Sequence, residues 1–490
     1  MKKVVVIGAG IGGLSAAALL AQKGHRVVVV EKNDKPGGRI NYFEAEGFRF
    51  DMGPSWYWMP DVFENFFNRF GHTTDDFYSL TRLDPSYSVY YKDSQLNLPA
   101  NYKALNKLFE SIEPGSGAHL DDFLSEAAYK YKVGMEEFVW KPGKSIGEFL
   151  DLKVFKSFFR LQMLSSMSKA VSKVVKEDRL RQILEFPVLF LGATAKDTPA
   201  LYSLMNYADI KLGTWYPQGG MYEIAKAFYS VAEGQGVNFA FDQEVTSFSY
   251  SKDSISAVHT STGSSYDCDY VVANADYHHI DQVVLEPTFA DYTAGYWDKR
   301  KLAPSSLLIF LGIDKKLSSI HHHSLFFDAD FDGHAQQIYK DPAWPDDPLF
   351  YACCPSVTDD KVAPKGCENL FLLMPIAPDL KGSQALYDKY LSTMLARLSS
   401  QLKISLGEEN ILFKKYFAVP DFKSTYNAFK GNAYGLANTL SQTAILKPSL
   451  KSKKINNLFY AGQLTTPGPG LPPSIISGQV AATELLKSIK

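Results

Sequence analysis

VVVIGAGIGGLSAAALLAQKGHRVVVVEK, residues 4–32, runs from an apolar stretch through a glycine cluster and a helical pattern into a second apolar stretch. VVVI reads as a buried strand, GLSAAALLAQKG as a helix ended by Gly24, and RVVVVEK as a second buried strand. Gly8, Gly10 and Gly13 form G-x-G-x-x-G at the strand-to-helix turn. The first glycine permits a tight turn, the second lets a pyrophosphate approach the backbone, and the third lets helix and strand pack closely. The positive end of the helix then faces the phosphates. Glu31 follows 18 residues after Gly13, where a carboxylate can accept hydrogen bonds from a ribose hydroxyl pair. Strand, turn, helix and acid together predict a dinucleotide site, and the acid argues against a 2′-phosphate.

Outward from this unit, DKPGGRI follows at once; Gly37 and Gly38 allow close backbone approach, and Arg39 offers charge-assisted bonds to a pyrophosphate. The chain continues into FDMGPSWYWMP, residues 50–60, where Trp56, Tyr57 and Trp58 stand behind a Gly-Pro-Ser turn. Residues 237–275 alternate apolar and polar positions between KDS and TGSS turns, which predicts a strand meander followed by one fully buried strand. Near the end, NNLFYAGQLTTPGPGLPPSIISG predicts a strand, a Gly/Pro loop and a helix beginning near Ser474. That helix presents a second positive terminus.

The blocks at 8–39, FDMGPSWYWMPDVFE, GTWYPQGGMYEIAKAF (213–228), YVVANAD (270–276) and GPGLPPSIISG resemble the bacterial-type carotenoid desaturases, flavoproteins of the broad amine oxidase class. The resemblance implies an α/β fold: a Rossmann-type FAD-binding domain built from 1–85, 220–285 and 441–490, with a discontinuous α+β substrate domain from 86–219 and 286–440. It also implies a non-covalent FAD held by Gly8, Gly10, Gly12, Gly13, Glu31, Lys32, Gly38, Arg39, Gly53, Pro54, Ser55, Val245, Gly462, Gln463, Pro472 and Ile475. Many flavoproteins of this class place an acid after the C-terminal glycine, whereas here Gln463 follows Gly462. The implied activity is removal of hydrogens from a C40 polyene, phytoene or a later carotenoid, by hydride transfer to the flavin. A hydroxycarotenoid 3,4-desaturase is a close variant. The alternative readings are another flavin oxidoreductase of the isomerase or amine oxidase type and a non-redox lipid-binding relative. No cysteine lies beyond Cys367 to tether a flavin covalently, and the intact glycines, Glu31 and Arg39 argue against loss of the cofactor.

Composition bounds the rest. The chain has 490 residues, 46% hydrophobic, with 51 Lys+Arg against 53 Asp+Glu, so no overall basic field draws in nucleic acid. Four cysteines, Cys268, Cys353, Cys354 and Cys367, form no C-x-x-C pair and read as reduced thiols of a cytoplasmic chain. The longest apolar runs, such as SSLLIFLGI near residue 309, fall short of the ~18 residues of a spanning helix. A C40 hydrocarbon costs on the order of 30 kcal/mol to place in water, at ~0.8 kcal/mol per carbon unit, so its enzyme must collect it from a bilayer. A peripheral membrane protein is expected, and the region from Lys141 to Glu185, with ten Lys/Arg against five acids, is the candidate surface. There Leu152, Phe155, Phe159 and Met163 share one helical face, and Lys153, Lys156 and Arg160 another. No second G-x-G-x-x-G follows a strand, so a membrane quinone or dioxygen is expected to reoxidise the flavin. Asp51, Glu64 and Asp276 read as capping acids, and no catalytic residue stands out. His321, His322 and His323 read as an exposed loop with no spaced partner, and no metal is expected. Nothing in the sequence sets an oligomeric state.

Overall fold

The computed structural model describes residues 1–143, 161, 162, 165–189, 191–439 and 442–489. The basic amphipathic stretch from Leu152 to Met163 lies almost wholly outside them. Among the described residues, the nucleotide fold is a five-stranded parallel sheet. Its order runs Leu458–Tyr460, Tyr270–Ala273, Lys3–Ile7, Arg26–Val30 and Asn238–Ala240. The strands therefore come from widely separated parts of the chain. Val4, Val5 and Val6 are buried, as are Val271 and Val272, because helices and a small sheet cover both faces.

Helix Ile11–Gln22 starts directly after the first strand, with Gly10 at its N-cap and no side-chain cap. The C-terminal helix, Leu471–Ser488, packs beside it so closely that a Cβ on Gly478 would come 2.0 Å from the Gly12 carbonyl oxygen. This helix begins at Leu471, a turn earlier than expected, because Pro472 sits within its first turn, where a missing N–H is harmless. The predicted meander is present as the antiparallel strands Val245–Ser251, Ser254–Thr260 and Ser265–Asp267.

A second, seven-stranded sheet carries the other wall of the site. Its order is Ile411–Phe417, Ser305–Ile313, Glu368–Ile376, Phe350–Cys353, His323–Phe326, Tyr87–Tyr90 and Gln95–Leu98. SSLLIFLGI is its core strand, buried at all nine positions. No described helix is long and apolar enough to cross a membrane.

The histidine run departs from expectation. His322 and His323 are buried, and His323 opens a strand of the large sheet. The three acids are caps, as expected. Asp51 accepts from the Met221 and Tyr222 N–H groups, Glu64 from Thr74, and Asp276 from His279.

Candidate active site

One cavity of about 810 Å³ runs from the glycine turn into the space between the two sheets. At the nucleotide end, Gly8 takes φ +95°, a conformation that lets its carbonyl pass over Gly13. A Cβ on Gly13 would come 2.1 Å from that oxygen, so Gly13 packs the helix against the strand and does not line the cavity. Gly8, Gly10, Gly12 and Gly38 do line it. Asn274, which sequence reasoning passed over within YVVANAD, braces the turn: Cβ atoms on Gly10, Gly12 or Gly462 would all meet its amide at about 3 Å.

Glu31 directly follows the strand Arg26–Val30, with a buried carboxylate on the cavity wall. Oε2 accepts the Ala9 N–H at 2.7 Å, and Oε1 accepts the Asn33 backbone and side-chain N–H groups, each at 2.8 Å. Burial pushes its pKa up, and those N–H groups oppose the shift. Lys32, also on the wall, is engaged by protein: Nζ donates to the Ser424 carbonyl and Asn427 Oδ1 and pairs with Glu244 at 3.5 Å. Arg39 is different. Its Nε and Nη2 are buried with no hydrogen-bond partner, while the guanidinium lies over the Tyr426 ring at 5.3 Å. Asp276 favours the Arg39 charge against the cost of burial, and burial raises Asp276 itself to about 6.

Gly53, Pro54, Ser55, Val245, Gly462, Gln463 and Pro472 also line the cavity. Ser55 Oγ accepts from the Tyr351 hydroxyl at 3.0 Å, and Gln463 donates to Asn432 Oδ1 at 3.0 Å. Ile475 is a correction: it is fully buried in the core, and its neighbours Ser474 and Ile476 face the cavity instead. At the helix start the orientation of each position depends on the Gly470 entry geometry, which sequence does not reveal.

The aromatic stretch divides by parity. Trp56 and Trp58 line the cavity, whereas Tyr57 is fully buried against Phe63 and bonds to Tyr78 at 3.1 Å. Beyond the two tryptophans the wall is mostly apolar, formed by Phe186, Leu308, Leu325, Phe327, Leu373 and others, with Ser306, His334 and Tyr351 among them. The carboxylates in the lining, Glu31, Glu244 and Asp276, all stand at the nucleotide end.

The residues present fit a dinucleotide cofactor. Arg39 offers unpaired donors, Glu31 a ribose acceptor, and two helix N-termini without side-chain caps flank the same space. Joined to a largely apolar chamber, this suits a dinucleotide-dependent enzyme with an apolar substrate.

The comparisons agree. The family model described as flavin containing amine oxidoreductase matches residues 11–486. The chain is 40% identical over 488 residues to a protein named carotenoid 3,4-desaturase from Haloarcula japonica, covering 99% of this chain and 98% of that one. It is 31% identical to a zeta-carotene-forming phytoene desaturase from Myxococcus xanthus, covering 99% and 94%. A crystal structure of an oxidoreductase from Methanosarcina mazei shares the fold, with a TM-score of 0.62 at 16% identity over 99% of this chain and all of that one. The chain belongs to the flavin containing amine oxidoreductases and, within them, to the bacterial-type carotenoid desaturases, which use FAD.

Proposed function

We propose that this chain introduces a 3,4 double bond near the end of a C40 carotenoid, late in carotenoid formation. The observation that carries the reading is the continuity of the cavity from the glycine turn to the apolar wall of Trp56, Phe186, Leu308 and Phe327. Greater identity to the haloarchaeal 3,4-desaturase than to the phytoene desaturase, 40% against 31%, favours the later step.

FAD, held without a covalent bond, would supply a hydride acceptor for a C–H adjoining the polyene, and release of a proton from the neighbouring carbon completes the double bond. Glu31 would hold its ribose, Arg39 and the N–H groups of the glycine turn its pyrophosphate, and the Gly462–Pro472 loop the far end. The apolar walls orient the rigid chain and keep water out. Trp56 and Tyr351, both in the cavity lining, place aromatic rings beside the polyene, where they favour developing positive charge without competing as nucleophiles. The substrate's insolubility supports a peripheral membrane protein that draws on a bilayer and passes electrons to a quinone there or to dioxygen.

Liposomes carrying either phytoene or a hydroxylated late carotenoid, with FAD-loaded protein and quinone, test this by chromatography of the products. The reading expects one additional double bond in the hydroxylated substrate and unchanged phytoene. Conversion of phytoene alone would overturn the 3,4 assignment, and conversion of neither would overturn the desaturase reading.

A further inference from the structure

Behind the aromatic wall lies a polar cluster that the redox site does not use. The strands His323–Phe326 and Phe350–Cys353 are antiparallel neighbours, with His323 directly opposite Cys353. Opposed residues present their side chains on one face. His322, one position before the strand, brings its ring to 4.6 Å from that of His323, edge to face. One ring nitrogen of each imidazole and the Cys353 sulfur lie within 4.8 Å of one another, and all three residues are buried.

The ring nitrogens are only half satisfied. His322 Nδ1 bonds to Thr358 Oγ1 at 2.8 Å, and His323 Nδ1 to the Tyr351 hydroxyl at 2.6 Å. Nε2 of both rings is buried with no partner, on residues 4% and 0% exposed. A buried polar atom left unpaired is costly, so two such atoms beside a thiol mark a place built for a polar occupant.

We propose that His322, His323 and Cys353 bind one Zn²⁺, with a water completing the tetrahedron. Two imidazoles and a thiolate suit this borderline ion, whose ~2.0–2.3 Å bonds need the ligand atoms to close by up to about 1.5 Å. The hydrogen bonds to Thr358 and Tyr351 orient the rings, as outer partners of metal-bound histidines do. Binding uses a lone pair from each neutral ring and displaces the Cys353 thiol proton to solvent, with no change of oxidation state. The ion then stiffens the substrate wall, because the His323 ring stacks on Trp56 at 4.0 Å.

The test is titration of metal-stripped, FAD-loaded protein with Co²⁺, then Zn²⁺. One Co²⁺ per chain is expected, with a thiolate-to-cobalt charge-transfer band that one equivalent of Zn²⁺ abolishes. Cys353→Ala removes the band and weakens Zn²⁺ binding at least about 100-fold, while Cys367→Ala retains both. Circular dichroism and flavin content report folding, and His322→Gln reads the same loss if Cys353→Ala does not fold. Wild-type protein without the band, or metal binding unaltered by Cys353→Ala, overturns the proposal.

Discussion

Arg39 brings a permanently charged guanidinium to the cavity wall, yet two of its nitrogens find no acceptor in the protein. A cofactor phosphate supplies that acceptor. Hydrogen bonds to a charged group contribute about 1.5–3 kcal/mol, so Arg39→Met is expected to weaken FAD binding roughly 10- to 100-fold. Flavin fluorescence titration reads this directly, and an unchanged affinity would place the guanidinium away from the cofactor. Trp56 and Tyr57 make a second pair of contrasts. Trp56→Ala should lower turnover at least about tenfold with flavin content intact, because it removes cavity wall. Tyr57→Phe should cost about 1 kcal/mol of stability through the lost bond to Tyr78 and leave turnover within about twofold. Steady-state kinetics beside thermal melting separates the two. The sequence marks both rings as important but not their directions. In extended chain, neighbours point to opposite faces, and only the packing of Tyr57 on Phe63 tells which face is core.

Among the elements, the two helices that meet at the glycine turn are held by contact between opposite ends of the chain. Gly478→Ala drives a methyl group into the Gly12 carbonyl and should destabilise the fold by about 1–3 kcal/mol while loosening FAD. Thermal melting with and without FAD checks this, and an unaltered melting temperature would contradict the close approach. Helix Phe331–Tyr339 is tied to the large sheet through His334, whose Nε2–H donates to the Pro375 carbonyl and whose Nδ1 accepts the Leu349 N–H. Burial, helped by Arg397, pushes His334 from 6.5 down to about 4. Its neutral form therefore contributes stability in full above pH 6.5, and that contribution is lost as pH falls toward 4. His334→Gln, neutral throughout, should lose less melting temperature between pH 7 and pH 5 than wild type. An equal loss in both would show that the folded protein leaves the His334 pKa at its ordinary value. The parallel strands were readable because unbroken valine runs admit few alternatives. The large sheet was not: strands such as HSLF at 323–326 are short, and their partners lie far away in the chain. For the same reason the histidines passed for a loop, since Cys353 becomes their neighbour only across a strand pair.

At the scale of the whole molecule, the parallel sheet holds the nucleotide end and the seven-stranded sheet walls the apolar end of one continuous cavity. The blocks at both ends of the chain made the first half legible, because phosphate and ribose impose fixed residue types at fixed spacings. A hydrocarbon imposes only size and apolarity, which many sequences meet, so most of the second half emerged from the fold. The central claim is that the two halves act as one site. Anaerobic mixing of FAD-loaded protein with a late carotenoid in liposomes, recorded as flavin absorbance and polyene absorbance together, tests it most directly. The account predicts that the flavin bleaches in step with lengthening of the polyene chromophore, one double bond per flavin reduced. Flavin that stays oxidised while carotenoid occupies the protein would contradict it.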